Sequence, residues 1–173
     1  TLGARRISEI DPGGTWAGHA VRGAARETVM PLAIASVTGS SGQHTFRIGL
    51  DLGGSKIEGI LMNGGATALA RYRVATPRND YAATIATIVD LTARLMQGIT
   101  ASARIGIAVP GSISPATGLM QNANSTWLNG RPFDRDLATA LSTPVRLAND
   151  ANCFALSEAF DGAGENARTV FGV

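Results

Sequence analysis

Carboxylate, glycine, hydroxyl and ammonium groups stand together in one short stretch, a combination suited to binding a polyphosphate. Asp51 ends an apolar run, the diglycine Gly53-Gly54 follows, and Ser55 and Lys56 come next. Glycines let backbone N–H groups approach a phosphate closely, because no Cβ stands in the way. Lys56 adds a positive charge, and Asp51 can hold Mg²⁺ through water, since hard cations prefer oxygen ligands. The cluster therefore predicts a site that handles a polyphosphate.

The same stretch also fits an ordinary β-hairpin with a Gly-Gly turn, and its residues alone leave both interpretations open. It is not a P-loop, because the G-x-x-x-x-G-K-[ST] spacing is absent. Residues 57–62 are typical of a strand, where a P-loop or a dinucleotide-binding fingerprint requires a helix.

Asp150 is the best candidate for acid–base chemistry. It directly follows a short apolar strand predicted at 145–148 and precedes a predicted helix. Phosphoryl transfer to an alcohol needs a group that accepts the hydroxyl proton, and an aspartate within hydrogen-bond distance suffices. Its neighbour Asn149 can donate and accept hydrogen bonds towards sugar hydroxyls. Asp150 could equally be only the N-cap of the helix, because Asp is a favoured cap residue.

Residues 121–130 carry many amides and hydroxyls around one tryptophan, Trp127. A sugar requires that pairing, because hydroxyls line its edge and C–H groups its face. The alternative is a surface loop with Asx turns and Trp127 tucked into the core. The segment 110–115 is typical of a rigid loop, and as a hypothesis it offers a backbone platform for a sugar.

Regular periodicity begins at Phe46. Alternation of apolar residues predicts three strands joined by tight turns, and helical spacing predicts a helix with Asp80 as its cap. The predicted elements are strands at 46–51, 55–62, 67–75, 104–109 and 145–148, helices at 81–97, 133–142 and 151–161, and a strand opening at 169–173. This order predicts an α/β protein with a mixed sheet and helices packed on it.

Three polar groups of residues each follow a predicted strand: Asp51, the run 110–112 and the pair Asn149-Asp150. In open α/β sheets, ligands bind outside the carboxyl ends of the strands. We therefore expect these three groups to line one cleft.

The composition favours one domain with an appendage. The chain has 173 residues, and residues 1–45 lack a sustained period, which predicts an irregular N-terminal extension. One cysteine, Cys153, and two histidines predict no disulfide and no zinc site within this chain, and a reducing cytoplasmic setting. The net charge is only +2 and no basic cluster with aromatic residues occurs, which argues against nucleic acid as a partner. No apolar run is long enough to span a membrane.

Taken in order, the segments 48–58, 106–111, 122–127 and 147–153 resemble the N-terminal half of the ROK family of sugar kinases and sugar-responsive repressors. Within that family, the segments 76–78, 110–115 and 124–130 look closest to the bacterial fructokinase (mannofructokinase) branch. The resemblance covers the chain from Phe46 to Val173.

The resemblance implies an actin-like ATPase (ribonuclease H-like) fold with two lobes that close over ATP and a hexose, most plausibly fructose phosphorylated at O6. It implies a first phosphate loop formed by Asp51, Gly53, Gly54, Ser55 and Lys56, with Asp51 holding Mg²⁺ through water. Asp150 would be the general base. The sugar would contact Gly111, Asn124 and Asn149.

The resemblance also sets the expected domain limits: an extension at 1–45, the N-terminal lobe at 46–166, and the start of a C-terminal lobe at 167–173. The second phosphate loop, a zinc cluster and the contacts of a homodimer are expected in that C-terminal lobe, beyond Val173. We therefore expect the chain alone to be inactive. A sugar-responsive repressor and an inert sugar-binding lobe are the alternatives.

Overall fold

The computed structural model describes residues 46–65 and 67–171, and these form a mixed β-sheet with helices packed against it. The expectations for residues 1–45 lie outside the described residues. The main sheet contains five strands, which are β1 (Phe46–Leu52), β2 (Lys56–Met62), β3 (Ala68–Ala75), β4 (Ala103–Val109) and β7 (Val145–Asn149). A small hairpin pairs β5 (Ser112–Ile113) with β6 (Met120–Gln121).

The strand order of the main sheet is β3-β2-β1-β4-β7. The first three strands form an antiparallel meander, whereas β1, β4 and β7 run parallel to one another. The carboxyl ends of these three parallel strands therefore meet at one edge of the sheet. The predicted fold class is confirmed, and the predicted strands from 46 to 149 match the observed ones to within two residues.

Three α-helices accompany the sheet in the described residues: α1 (Tyr81–Leu95), α2 (Phe133–Ala140) and α3 (Asp150–Asp161). Asp80 caps α1 as predicted, since its carboxylate accepts a hydrogen bond from the Ala83 N–H at 2.9 Å. Helix α1 lies so close to β2 that a Cβ on Gly59 would come within 2.8 Å of the Leu95 side chain. A side chain at residue 59 would therefore require the leucine side chains around it to shift.

Alternation along the strands gives the sheet two unequal faces. One face packs against α1 and α2 and is apolar. The fully buried residues of this core are Ile48, Leu50, Leu52, Ile57, Leu61, Ile88, Leu91, Leu95, Ile107, Val109, Leu128, Phe133 and Leu137. The opposite face carries the other residues of the alternation, among them Gly49, Asp51, Glu58 and Gly106, and is more open.

Two features differ from the sequence prediction. The hairpin of β5 and β6 was expected to be loop, because strands of two residues have no detectable period. The strand predicted at 169–173 is absent over Thr169–Phe171, and residues 172–173 lie outside the described residues. Val170 instead packs against Gly164, where a Cβ would lie 2.6 Å from its Cγ2 atom. No helix among the described residues is long and apolar enough to cross a membrane.

Candidate functional site

The diglycine turn joins β1 to β2 and is held from β3. The Gly53 N–H donates to the Lys56 carbonyl at 3.0 Å, which closes the turn. Thr76, at the end of β3 and buried, donates from Oγ1 to the Gly53 carbonyl at 2.8 Å and from its N–H to the Ser55 carbonyl at 3.0 Å. The turn is therefore fixed by a third strand, which an isolated hairpin would lack.

Two backbone donors of this turn are unused. The N–H groups of Gly54 and Ser55 make no hydrogen bond to any other residue that the structure describes, and the Lys56 side chain is exposed. Unpaired N–H groups beside an ammonium group are the donors that an anionic oxygen requires. The geometry of the turn is compatible with phosphate binding, and the Gly53 N–H is already used within the turn.

Asp51 and Asp150 act on each other electrostatically. The pKa of Asp51 is raised from 3.8 to about 6, first because the carboxyl is largely buried, and then because Asp150 and Glu58 lie near it, while Arg73 opposes the shift. The pKa of the Cys153 thiol is raised by burial and, to a smaller extent, by Asp150 and Asp51. The ends of β1 and β7 thus direct their carboxylates into one region.

A group of charges that the sequence analysis missed lies beside Asp51. Glu58, paired with Asp51 across β1 and β2, forms ion pairs with Arg71 and Arg73 of β3. The Arg73 Nε–Glu58 Oε2 distance is 2.7 Å. Alternation in β2 and β3 places these three side chains on the same face, so the pattern was detectable once the meander was assumed.

A cavity of about 610 Å³ lies over the open face of the sheet and not at the edge where the strands end. Its lining includes Asp51, Glu58, Arg71, Arg146 and Cys153. Of the predicted site residues, only Asp51 lines this cavity. The glycine turn, Gly111, Asn124, Asn149 and Asp150 lie at the neighbouring edge, where β1, β4 and β7 end.

Asn149, not Asp150, is the N-cap of α3. The Asn149 Oδ1 accepts from the Asn152 N–H at 3.3 Å, and its Nδ2 donates to the Gly111 carbonyl at 3.3 Å. The alternative that Asp150 is only a cap is therefore wrong. Asp150 is the first residue of α3 and is exposed, and its Oδ1 accepts from the adjacent Ala151 N–H at 2.8 Å. Asn149 ties the loop after β4 to the loop after β7.

The loop at 121–130 is held by one asparagine that the sequence analysis had placed among the sugar-facing groups. The Asn129 side chain accepts from the Ala123 N–H at 2.9 Å and donates to the Ala123 carbonyl at 3.0 Å. The neighbouring Asn122 has a positive φ of 57°, which asparagine tolerates. The Asn124 N–H donates to the Pro110 carbonyl at 3.2 Å, and the Asn124 side chain is exposed.

Trp127 is anchored in the fold. Its indole N–H donates to the Thr84 Oγ1 of α1 at 3.1 Å, and the half-buried ring packs against the core. Of the two interpretations of Trp127, the structure therefore favours the residue tucked into the core over a flat platform for a sugar.

No group of three or more His, Cys, Asp or Glu side chains in the described part of the chain is arranged to hold a metal ion. The zinc cluster implied by the resemblance was expected outside this chain, and no described residue bears on it. Asp51 remains the candidate carboxylate for a cation held through water.

Comparisons with known proteins agree on one family. The ROK family profile matches residues 47–173. The N-acetyl-D-glucosamine kinase of Haemophilus influenzae (strain 86-028NP) is 42% identical over 125 residues, which are 72% of this chain and 41% of that protein. The chain therefore spans less than half the length of this curated relative.

Solved structures give the same result. The inorganic polyphosphate/ATP-glucomannokinase from Arthrobacter sp. strain KM is 30% identical with a TM-score of 0.60, covering 71% of this chain and 51% of that one. A ROK family glucokinase from Streptomyces griseus, in complex with glucose and AMPPNP, is 25% identical with a TM-score of 0.58, covering 70% and 38%.

Proposed function

The chain belongs to the ROK family, and we propose that it forms the N-terminal lobe of an ATP-dependent hexose kinase. The observation that carries this proposal is that the charge of Asp150, the first residue of α3 after β7, helps to raise the pKa of Asp51 beside the glycine turn. A phosphate-binding turn and a proton acceptor must lie close together for in-line transfer of a phosphoryl group to an alcohol.

The roles follow from position. Asp150, exposed at the first turn of α3, accepts the proton of the attacking sugar hydroxyl. The N–H groups of Gly54 and Ser55, with the Lys56 ammonium, bind the phosphates of the donor, while Gly53 shapes the turn. Asn124 and the Gly111 backbone contact the sugar. The Asn149 side chain already makes two hydrogen bonds within the protein, and its remaining donor and acceptor capacity is available to the sugar.

Mg²⁺ fits the residues present. The ionised form of Asp51 is disfavoured by burial and by two neighbouring carboxylates, and a cation nearby would offset that cost. Asp51 would hold the ion through water. When bound, the ion neutralises charge that develops on the transferred phosphoryl group. One carboxylate without a cluster of ligands is compatible with an ion held mainly by substrate phosphates and water.

For the sugar, we propose N-acetylglucosamine as the first candidate, because the Haemophilus influenzae relative, 42% identical over 125 residues, carries that activity in its name. Fructose, phosphorylated at O6, is the second candidate. It rests on the segments 76–78, 110–115 and 124–130, and the names of the related proteins do not support it. The sugar contacts named above do not discriminate between the two.

The domain limits remain a proposal: the lobe at 46–166, and the start of a second lobe at 167–173. A sugar-responsive repressor is the alternative function. The intact turn at 51–56, with its unused N–H groups, favours the kinase, since a sensor of sugar has no need to bind a polyphosphate.

The test is a hybrid enzyme in which residues 47–171 replace the matching part of the Haemophilus influenzae kinase. ATP-dependent phosphorylation is measured with N-acetylglucosamine, fructose, glucose and mannose. We expect turnover with at least one hexose, and highest kcat/KM with N-acetylglucosamine. A hybrid that folds and binds sugar but hydrolyses no ATP with any hexose would contradict the kinase and favour the sensor.

A further inference from the structure

Ser125 carries a buried hydroxyl that the fold does not use. The residue is 2% exposed, and its Oγ has no hydrogen-bond partner among the residues that the structure describes. Only one other hydroxyl in that part of the chain is in the same state, Thr92 Oγ1. An unpaired buried hydroxyl costs free energy, so each instance requires an explanation.

The position of Ser125 suggests that explanation. Its Oγ lies 4.0 Å from the point that a Cβ on Gly54 would occupy, so the hydroxyl lies against the glycine turn. The backbone around it is fixed: the Asn124 N–H donates to the Pro110 carbonyl at 3.2 Å, and the Ser125 carbonyl accepts from the Leu128 N–H at 3.0 Å. Ser125 therefore stands between the loop proposed to contact sugar and the turn proposed to bind phosphate.

The chemistry of the surroundings selects the ligand class. Gly54 and Ser55 present unused N–H donors beside the Lys56 ammonium group. The Ser125 hydroxyl adds one more donor to these groups. A ligand bound there must therefore supply hydrogen-bond acceptors. Phosphate oxygens are charged and accept several hydrogen bonds at once, whereas a sugar hydroxyl is neutral and a weaker acceptor.

We infer that the Ser125 hydroxyl is a binding group for the phosphate donor: it donates a hydrogen bond to a terminal phosphate oxygen held at the glycine turn. The inference rests on the proposed kinase function and assigns to the phosphate side a residue that the sequence analysis placed with the sugar loop. Thr92 shows that an unpaired buried hydroxyl also occurs in helix α1, on a different element from the loop of Ser125.

Thr92 provides the matched control. Ser125→Ala and Thr92→Val each remove one unpaired buried hydroxyl, so neither should lower the Tm of the 173-residue chain. Tripolyphosphate binding to the same chain, measured by titration calorimetry, should weaken at least fivefold in Ser125→Ala and remain unchanged in Thr92→Val. In the hybrid kinase, Ser125→Ala should raise the KM for ATP at least tenfold and change the KM for sugar less than twofold.

The possible results distinguish a failure of the role assigned to Ser125 from a failure of the proposed kinase function. Unchanged tripolyphosphate binding in Ser125→Ala, or no binding by the parent chain, would overturn the role of Ser125. So would a fall in Tm, which would indicate that the hydroxyl is bonded within the fold, or an equal loss of affinity for sugar and ATP. A hybrid that lacks all kinase activity while Ser125→Ala still weakens tripolyphosphate binding would instead contradict the proposed function and leave the phosphate site standing.

Discussion

The charge on Asp51 is the most consequential single feature of the cleft. Its carboxyl has a pKa of about 6, so it is partly protonated near neutral pH in the absence of a cation. Burial is the main cause, and the neighbouring carboxylates add to it. The ionised Asp51 carboxylate lowers the stability of the fold, and a positive charge bound beside it would offset that cost.

Asp51→Asn should therefore stabilise the chain in a pH-dependent manner. The unfolded pKa is 3.8 and the folded pKa is about 6, so the ionised carboxylate destabilises the folded state above pH 6. That cost disappears as the pH falls through 6 towards 3.8. At pH 8 we expect a Tm gain of about 3 °C, for about 1 kcal/mol after allowing for solvent screening. Scanning calorimetry from pH 8 to 4 should show the gain vanish at the acid end.

Asp161→Asn is the control, since this exposed aspartate stands at the far end of α3. At pH 8 it should change the Tm by less than Asp51→Asn does. A gain for Asp51→Asn that does not depend on pH would contradict the assigned pKa of Asp51.

The electrostatic interaction between Asp51 and Asp150 can be measured directly. Asp150→Asn removes one of the charges that raise the pKa of Asp51, so that pKa should fall, although burial keeps it above 3.8. Carbon-detected NMR of the carboxyl resonances reports the change. An unaltered Asp51 titration would show that the two side chains do not share one cleft.

Residue types alone singled out Asp51 and the glycine turn as a candidate phosphate site and left an ordinary hairpin as the alternative. They could not distinguish between Asn149 and Asp150 as the cap of α3, since both are favoured cap residues. Only the dihedral angles at the helix start decide it. The use of Asn129 to hold Ala123, and the burial of Ser125, likewise depend on the path of a loop that has no period.

The candidate site is held by loops that pack against one another. Gly111, after β4, leaves no room for a side chain: a Cβ there would lie 2.7 Å from the Gln121 carbonyl and 3.0 Å from the Ala123 Cα. Asn149 donates a hydrogen bond to the Gly111 carbonyl on one side of this contact, and Asn129 donates one to the Ala123 carbonyl on the other. The ends of β4 and β7 and the loop at 121–130 therefore form one rigid unit.

Gly111→Ala should disrupt that unit. The new methyl group meets backbone atoms, which cannot rotate away, and we expect a loss of about 1–3 kcal/mol in unfolding free energy. Gly106→Ala on β4 is the matched control, because a Cβ there meets nothing within 4 Å. It should be neutral or slightly stabilising. Urea unfolding of both variants makes the comparison, and equal stabilities would contradict the packing described for Gly111.

Periodicity predicted the main elements because β1 to β4, β7 and α1 each bury one face, which imposes a period of 2 or 3.6 on the sequence. It failed for β5 and β6, which are too short to show a period. It also failed for Thr169–Phe171, where apolar residues alone suggested a strand but no neighbouring strand is available among the described residues. A strand requires a partner, and a sequence segment does not reveal whether it has one.

The two faces of the sheet differ in cover: α1 and α2 pack against one face, and α3 lies beside the other. Helices α1 and α2 bury their apolar residues, whereas α3 buries none. Leu156 and Phe160 of α3 are 71% and 80% exposed, and Phe171 is 84% exposed. Exposed apolar surface of this kind marks an interaction surface.

The central claim is that Asp150 and the glycine turn at Asp51 act on one reaction, the transfer of a phosphoryl group from ATP to a hexose. Turnover of the hybrid kinase carrying Asp150→Asn, with Asp161→Asn as control, tests this most directly. We expect kcat to fall about 10²–10⁴-fold, which is typical of a lost general base, and the KM for sugar to change less than threefold. A kcat for Asp150→Asn equal to that of Asp161→Asn would contradict it.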